Sequence, residues 1–235
     1  MNAATPLHHL QTIEESLNEL ASLSLDLGAP ASIQHQYIGT CVDNTLVLLT
    51  GVANSIDGGG RNIGFSEYEN WRSAMVAVHR SFYSGIIIST EKACSDLCAA
   101  KEIIIKSKRL QTAQKVCEAL RNVGIKDLAQ RQKLEKIILA LAGSKPGFLD
   151  YIDIVTDSSR LPSDRVKMWR RYFAALSTIR NKVSHSDVSL SESEAKCLKE
   201  SGFAALVSAT NDLQLNTRNY KQICEHVVLF FKEVC

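Results

Sequence analysis

The chain has 235 residues, of which 45% are hydrophobic and 22% are charged, and its net charge is +2. This composition is typical of a globular protein with a sizeable core. It excludes binding to nucleic acid or membranes through overall charge, so any basic surface has to be local. Aromatic residues make up only 6% and four prolines occur, which favours helices over a sandwich or a barrel.

The seven cysteines indicate neither a disulfide framework nor a zinc site, because their number is odd and no C-x-x-C pair occurs. We therefore expect reduced thiols in a cytoplasmic protein. The N-terminus lacks a charged region followed by an apolar core. The most apolar run, 46–53, is too short to cross a bilayer. The sequence predicts no metal, no cofactor and no membrane contact.

The first two predicted helices belong to an N-terminal unit, residues 1–65. Thr5 and Pro6 cap a helix that ends at Gly28, and Pro30 opens a second helix that includes the apolar run. The glycine-rich stretch 57–62 lacks the Lys-Ser/Thr of a phosphate-binding loop, so we expect a flexible connection.

Four further helices are predicted before residue 160. Ser66 and Glu69 form a capping-box pattern that starts a long helix, with Ile105 as its outer limit. On it, His79 is predicted to be a core or interface histidine. The other three predicted helices cover 110–123, 128–141 and 148–157.

The next predicted helix starts at Pro162 and has apolar residues at core spacing as far as Ile179. Arg180 then lies at or beside the same stripe. A permanent charge in that position is costly unless it meets an anion, a carboxylate or a cleft.

This helix also carries most of the one strongly basic segment of the chain. Within that segment only Asp164 opposes the cations, and aromatic residues are interleaved with them. The pattern fits either a surface for a phosphate backbone or a solvated basic face. The cations are Arg160, Arg165, Lys167, Arg170, Arg171 and Lys182.

The C-terminal part completes an all-α, up-and-down helical bundle. After Asp187 we expect a short helix to Ser201, a helix over 203–209, an extended connection at 213–215 and a last helix after Thr217. His226 on that last helix has no evident partner and is interpreted as structural. The bundle covers residues 66–235, with the unit 1–65 packing on it or extending it; alternatively, 1–235 is one domain.

The stretch Arg180-Asn181-Lys182-Val183-Ser184-His185 resembles the R-x-x-x-x-H motif of the HEPN superfamily. HEPN proteins are helical bundles of prokaryotic conflict systems and RNA processing. As in that family, a polar residue follows the arginine, an aromatic helix precedes it, and a short acidic helix and a closing amphipathic helix follow. The resemblance covers about the last third of the chain. It implies a metal-independent endoribonuclease that works as a homodimer, with an antitoxin or a regulatory protein as a further partner.

The same residues suit RNA cleavage chemically. His185 can deprotonate the 2′-hydroxyl or protonate the leaving 5′-oxygen. Arg180 can hold the phosphate and stabilise the charge of the transition state, while Asn181 orients the phosphate or His185. Ser184 is a weaker candidate for that orienting role. The remaining candidates for substrate binding are Lys182, Arg170 and Arg171.

Helical geometry imposes a condition on this site. Arg180 and His185 are separated by about 140° around a regular helix, so one helix does not aim both at one point. Either the helix ends near His185, or two copies of the motif meet across a two-fold axis, which is what the resemblance implies.

Two other hypotheses stay open. The first is a HEPN-like module that binds RNA, nucleotides or proteins without cleavage. The second is a helical adaptor in which Arg180 is a buried ion-pair partner and His185 caps the helix. The toxin branch that is regulated by nucleotide addition has a tyrosine two residues after the histidine. Asp187 occupies that position here, so this regulation is not predicted.

Overall fold

The fold is all-α in the part of the chain that the structure covers. The computed structural model describes residues 38–57, 65–103, 108–122, 127–142, 146–185 and 187–235, together with Glu15. Within these ranges there are eight α-helices and no β-strand, which confirms the predicted fold class. The helix predicted before Gly28 and the glycine-rich stretch 58–62 lie outside the described residues, apart from Glu15.

The eight helices follow one another in chain order. They are α1 (Thr40–Asp57), α2 (Phe65–Ala100), α3 (Lys108–Asn122), α4 (Leu128–Ala142), α5 (Phe148–Ser158), α6 (Ser163–His185), α7 (Glu192–Leu198) and α8 (Asn219–Val234).

The long helix α2 ends at Ala100, short of the predicted limit at Ile105. Glu102 adopts a left-handed backbone conformation with φ of 54°. The N–H of Ile103 then closes back on the carbonyl of Cys98 at 2.9 Å. A left-handed residue followed by such a bond is a common way to end a helix.

Helix α2 lies at the centre of the bundle, in contact with α1, α5, α6 and α8. Its buried side chains recur at helical spacing, as expected for a core face: Met75, Val78, Phe82 and Ile86. The predicted core histidine is also confirmed, because His79 is 7% exposed and its Nδ1 lies 2.5 Å from the hydroxyl oxygen of Tyr220.

Aromatic rings join the first half of α6 to α8. The ring centroids of Trp169 and Phe173 lie 5.4 Å and 4.8 Å from that of Phe230, and all three side chains are fully buried. The indole N–H of Trp169 donates to Glu233 at 2.7 Å, so its one polar group is satisfied. Each buried ring contributes about 1.5–3 kcal/mol, and together they hold α6 in place.

The segment between α7 and α8 differs from its prediction. A helix over 203–209 was expected, but the chain forms a π-helical turn at Lys199–Phe203 and a single 3-10 turn at Ala204–Leu206. Gly202 has φ of +89°, which interrupts the helix. Val207 then pairs with Leu213 in an isolated bridge, and this extended pairing takes the place of a further helix.

No described helix is long and apolar enough to cross a membrane.

Candidate functional site

The six-residue motif occupies the last two turns of α6, which ends at His185. Since the α-helical backbone includes both Arg180 and His185, their side chains leave the axis about 140° apart. The end of the helix therefore does not bring the two side chains together within one chain. The basic Lys182 and His185 lie in the last turn, where they interact favourably with the helix dipole.

Arg180 is half-buried, and its Nε is inaccessible to solvent. Among the residues that the structure describes, no acceptor forms a hydrogen bond with this atom. A buried donor without an acceptor costs about 1–3 kcal/mol. The fold thus leaves one nitrogen of Arg180 shielded from solvent and without a hydrogen-bond acceptor.

The other polar residues of the motif point to water. Asn181, Ser184 and His185 are all exposed. The pKa of Asp187 is lowered, chiefly by its hydrogen bond from Lys182, then by the backbone N–H of Ser189, and to a smaller extent by the charge of His185. His185 therefore lies near a carboxylate at the end of α6.

Lys182 is tied to the connection between α6 and α7. Its Nζ donates to Asp187 at 2.9 Å and lies 3.5 Å from Glu194. The hydrogen bond that Lys182 donates to Asp187 is the main reason why the pKa of Lys182 is raised. Glu194 also caps α7 by accepting from the N–H of Ser191 at 2.7 Å. Within this protomer, the lysine proposed for substrate binding already has two carboxylate partners.

Arg170 and Arg171 are neighbours in sequence but differ in their surroundings. Arg170 lies 2.7 Å from Asp153 and 2.7 Å from Asp157, both on α5. Arg171 is exposed and its nearest described carboxylate is Glu200, at 3.9 Å. Only Arg171 of this pair keeps a solvent-facing guanidinium.

The basic segment is thus partly neutralised by residues distant in sequence. Arg165 pairs with Glu233 on α8 and also stacks over the ring of Trp169, 5.5 Å from its centroid. Asp164 is the only acid within the segment, but the fold supplies six carboxylates from α5, α7, α8, the connection after α6 and the π-helical turn after α7. They belong to Asp153, Asp157, Asp187, Glu194, Glu200 and Glu233.

Arg80 on α2 contributes to the motif and was not singled out from the sequence. Its Nε donates to the carbonyl oxygen of Val183 at 3.0 Å, in the last turn of α6, where carbonyls lack helical partners. The signal that could have found it is a charged residue within the apolar stretch between Met75 and Ile88. Arg80 thus connects the central helix to the backbone of the motif.

A separate cleft of about 380 Å³ lies beside the first half of α6, where Arg171 and Tyr172 line it together with Gly202 and His226. The ring of His226 stacks on Tyr172 with centroids 5.3 Å apart. The histidine interpreted as lacking a partner therefore has one. From Tyr172 to Val183 the helix rises by about 16 Å, so this cleft and the motif are distinct.

In the described part of the chain, no group of three or more histidine, cysteine, aspartate or glutamate side chains is arranged to hold a metal ion. Comparison with protein-family models, curated protein sequences and solved structures finds no match to this chain. The resemblance to HEPN proteins thus rests on the residues around Arg180 and His185.

Proposed function

We propose that the protein is a metal-independent endoribonuclease of a toxin or antiviral defence system, with Arg180 and His185 in a composite site between two copies. The observation that supports this most is the state of Arg180. Four cations of α6, Arg165, Arg170, Arg171 and Lys182, have carboxylate partners. Arg180 has none among the described residues, and its Nε is shielded from water without an acceptor. With no carboxylate partner, the guanidinium charge of Arg180 is available to a phosphate.

The proposed reaction uses the nucleophile that RNA carries. One His185 takes the proton of the 2′-hydroxyl as the 2′-oxygen attacks phosphorus, and the bond from phosphorus to the 5′-oxygen breaks. Water gives a proton to that leaving oxygen, so one Arg180–His185 pair suffices for one cleavage. Arg180 stabilises the charge on the phosphoryl oxygens in the transition state. The products are a 2′,3′-cyclic phosphate and a 5′-hydroxyl.

An exposed His185 and a half-buried Arg180 suit a site that a second protomer completes. The two side chains diverge on one helix. A two-fold axis beside the end of α6 would place the two copies of the motif opposite each other. RNA is the proposed substrate, the cytoplasm the proposed location, and an antitoxin or regulatory protein a further partner.

The direct test is cleavage of end-labelled RNA in EDTA by the purified protein and by His185→Ala. We expect the variant to lose activity by about 10²–10⁴-fold, because proton transfer by a positioned side chain contributes that much. The 3′ ends of the products should carry the cyclic phosphate. The matched control is His226→Ala, on α8 and outside the motif. Cleavage by His185→Ala at the wild-type rate would remove His185 from the mechanism.

A second candidate function is a non-catalytic HEPN-like module that binds RNA, nucleotides or a protein. The observation in its favour is the divergence of Arg180 and His185 on α6, which leaves the two catalytic candidates apart within one chain. Salt-dependent RNA binding without cut products would support this candidate.

Arg171→Glu is the suitable charge reversal for that measurement. Its side chain is exposed, so we expect weaker RNA binding with an unchanged melting temperature, and a salt slope reduced by about one. Arg170→Glu would instead place a third carboxylate beside Asp153 and Asp157 and lower the melting temperature. Unchanged RNA affinity in Arg171→Glu would exclude this part of α6 from the binding surface.

A further inference from the structure

Helices α3 and α4 form a pair that packs chiefly on itself. Only Ala113 and Cys117 are buried among the described side chains of the two helices. Arg121 closes one edge of the pair with two hydrogen bonds to Glu135, at 3.0 Å and 2.9 Å. The pair thus has its own small contact surface beside the bundle that carries the motif.

This pair exposes an unusual share of apolar surface. Six of the thirteen large apolar side chains that are exposed in the described residues belong to it. Three of them, Leu134, Ile137 and Leu141, are spaced by three and four residues and so share one face of α4. Their exposed fractions are 44%, 46% and 81%. We call these three residues the α4 stripe.

The same pair is strongly basic. Its two helices contain seven lysines and arginines and two glutamates, a net charge of +5. Since the whole chain carries +2, the remaining residues carry −3. Glu135 is already paired with Arg121 and lies 3.8 Å from Arg131. The exposed Lys133 and Lys136 lie on one side of the α4 stripe and have no ion-pair partner among the described residues.

We propose that the α3–α4 pair is a docking surface for an acidic amphipathic helix of a partner protein. Apolar residues of that helix would cover the α4 stripe, and its carboxylates would meet the lysines beside it. This proposal does not depend on RNA cleavage by α6.

Charge and composition separate this occupant from a second copy, a membrane and a single-stranded RNA. A second copy of the pair would bring another net charge of +5 against the first and would be repelled. The two helices contain no Phe, Tyr or Trp. They therefore lack both the aromatic anchors that are enriched at membrane surfaces and the rings on which single-stranded RNA bases stack. An acidic helix with an apolar face matches both the positive charge and the exposed apolar surface of the pair.

The test uses the full-length protein and synthetic helical peptides of about 18 residues, or five turns. The probe peptide has leucine at i, i+3, i+4 and i+7 spacing and glutamate elsewhere; a scrambled peptide of the same composition is the reference. We expect tight, salt-sensitive binding of the probe by fluorescence anisotropy, at least tenfold stronger than that of the scrambled peptide.

Two variants locate the site. Leu134→Ser/Ile137→Ser/Leu141→Ser and Lys133→Glu/Lys136→Glu should each weaken probe binding at least tenfold. The matched control replaces three exposed apolar residues outside the pair, Ile88→Ser/Leu149→Ser/Leu229→Ser, and should bind normally. Circular dichroism confirms that each variant is folded.

Other outcomes would overturn the proposal. These are equal binding of the scrambled peptide, or equal loss of probe binding in the control variant. A third is that the triple α4 variant keeps probe binding but loses binding to phosphatidylserine vesicles or oligouridine, or loses self-association. In that third case a membrane, an RNA or a second copy would be the occupant.

Discussion

Arg180 has a cost in the folded chain that Arg165, on the same helix, avoids. Its Nε is buried without an acceptor in the described residues, whereas Arg165 donates to Glu233 and lies over Trp169. Residues that lower stability without a structural return are concentrated at functional sites. For that reason we expect a substitution that removes the charge of Arg180 to keep or raise the free energy of unfolding while it lowers the rate of RNA cleavage.

The variant Arg180→Met tests this opposition. It removes the unsatisfied donor and keeps an unbranched apolar side chain, so the free energy of unfolding should stay constant or rise by about 1 kcal/mol. RNA cleavage should fall at least about 100-fold, since a charge-stabilising donor is lost. Urea unfolding and a cleavage assay measure the two effects.

Arg165→Met is the matched control for this variant. It removes an arginine with a carboxylate partner from the same helix, so it should lower the free energy of unfolding and leave the motif unchanged. A strong loss of stability in Arg180→Met would instead mean that Arg180 has a structural acceptor.

His79 makes stability depend on pH. Burial lowers its pKa from 6.5 to about 4. Because the unfolded chain then binds the proton more tightly, this contribution to stability is complete above pH 6.5 and is lost as pH falls towards 4. The loss should reach about 3 kcal/mol. The free energy of unfolding, measured with urea between pH 7 and 4, should depend less steeply on pH in His79→Gln than in the wild type. Equal slopes for His79→Gln and the wild type would contradict the assignment.

At the scale of the element, the end of α6 is held from two sides. Arg80 on α2 donates to the carbonyl of Val183, and the N–H of Asp187 donates to the carbonyl of Lys182 at 3.0 Å. Both bonds satisfy carbonyls that a helix end leaves without partners. They keep His185 in the last turn of the helix.

Arg80→Ala should therefore loosen the last turn of α6. Its side chain is partly buried and bonds a backbone carbonyl, so the variant should lose about 1–2 kcal/mol of stability. Hydrogen exchange of the amides at 183–187 should accelerate relative to the wild type. Lys92→Ala changes an exposed residue of the same helix and should leave these amides unaffected. Unaltered protection at 183–187 in Arg80→Ala would show that the bond does not hold the turn.

At the scale of the whole molecule, the divergence of Arg180 and His185 makes the proposed activity a property of a dimer. One copy presents the two side chains about 140° apart around α6, so they leave the helix in different directions. In two copies related by a two-fold axis, the arginine of each copy can lie opposite the histidine of the other.

Mixing two inactive variants tests the composite site. When Arg180→Ala and His185→Ala are unfolded together and refolded, half of the dimers should be mixed, and each mixed dimer holds one intact pair. Cleavage should then recover to roughly a quarter of the wild-type rate. Each variant refolded alone should stay inactive. Failure of the mixture to recover, with mixed dimers confirmed by native mass spectrometry, would argue against a site shared between copies.

The sequence alone determined the helices and their core faces, because an apolar residue every three or four positions is a local signal. Trp169, Phe173 and His79 are buried as their spacing predicted. It also located the motif at the end of one helix. Local pattern was insufficient at 203–209, where Val207 pairs with Leu213, and a residue outside that stretch decided the conformation.

Only the tertiary structure decided which cations of α6 are paired with carboxylates and which are available to a ligand. The sequence showed a run of cations opposed by Asp164, but packing brings carboxylates from other helices against Arg170, Lys182 and Arg165. It also places Arg80 at the backbone of the motif, 103 positions from its bonding partner Val183. Ion pairs and caps of this kind depend on distance in space, and spacing along the chain does not encode it. The candidate chemistry at Arg180 and His185 is therefore local in the sequence, while its electrostatic surroundings are a product of the fold.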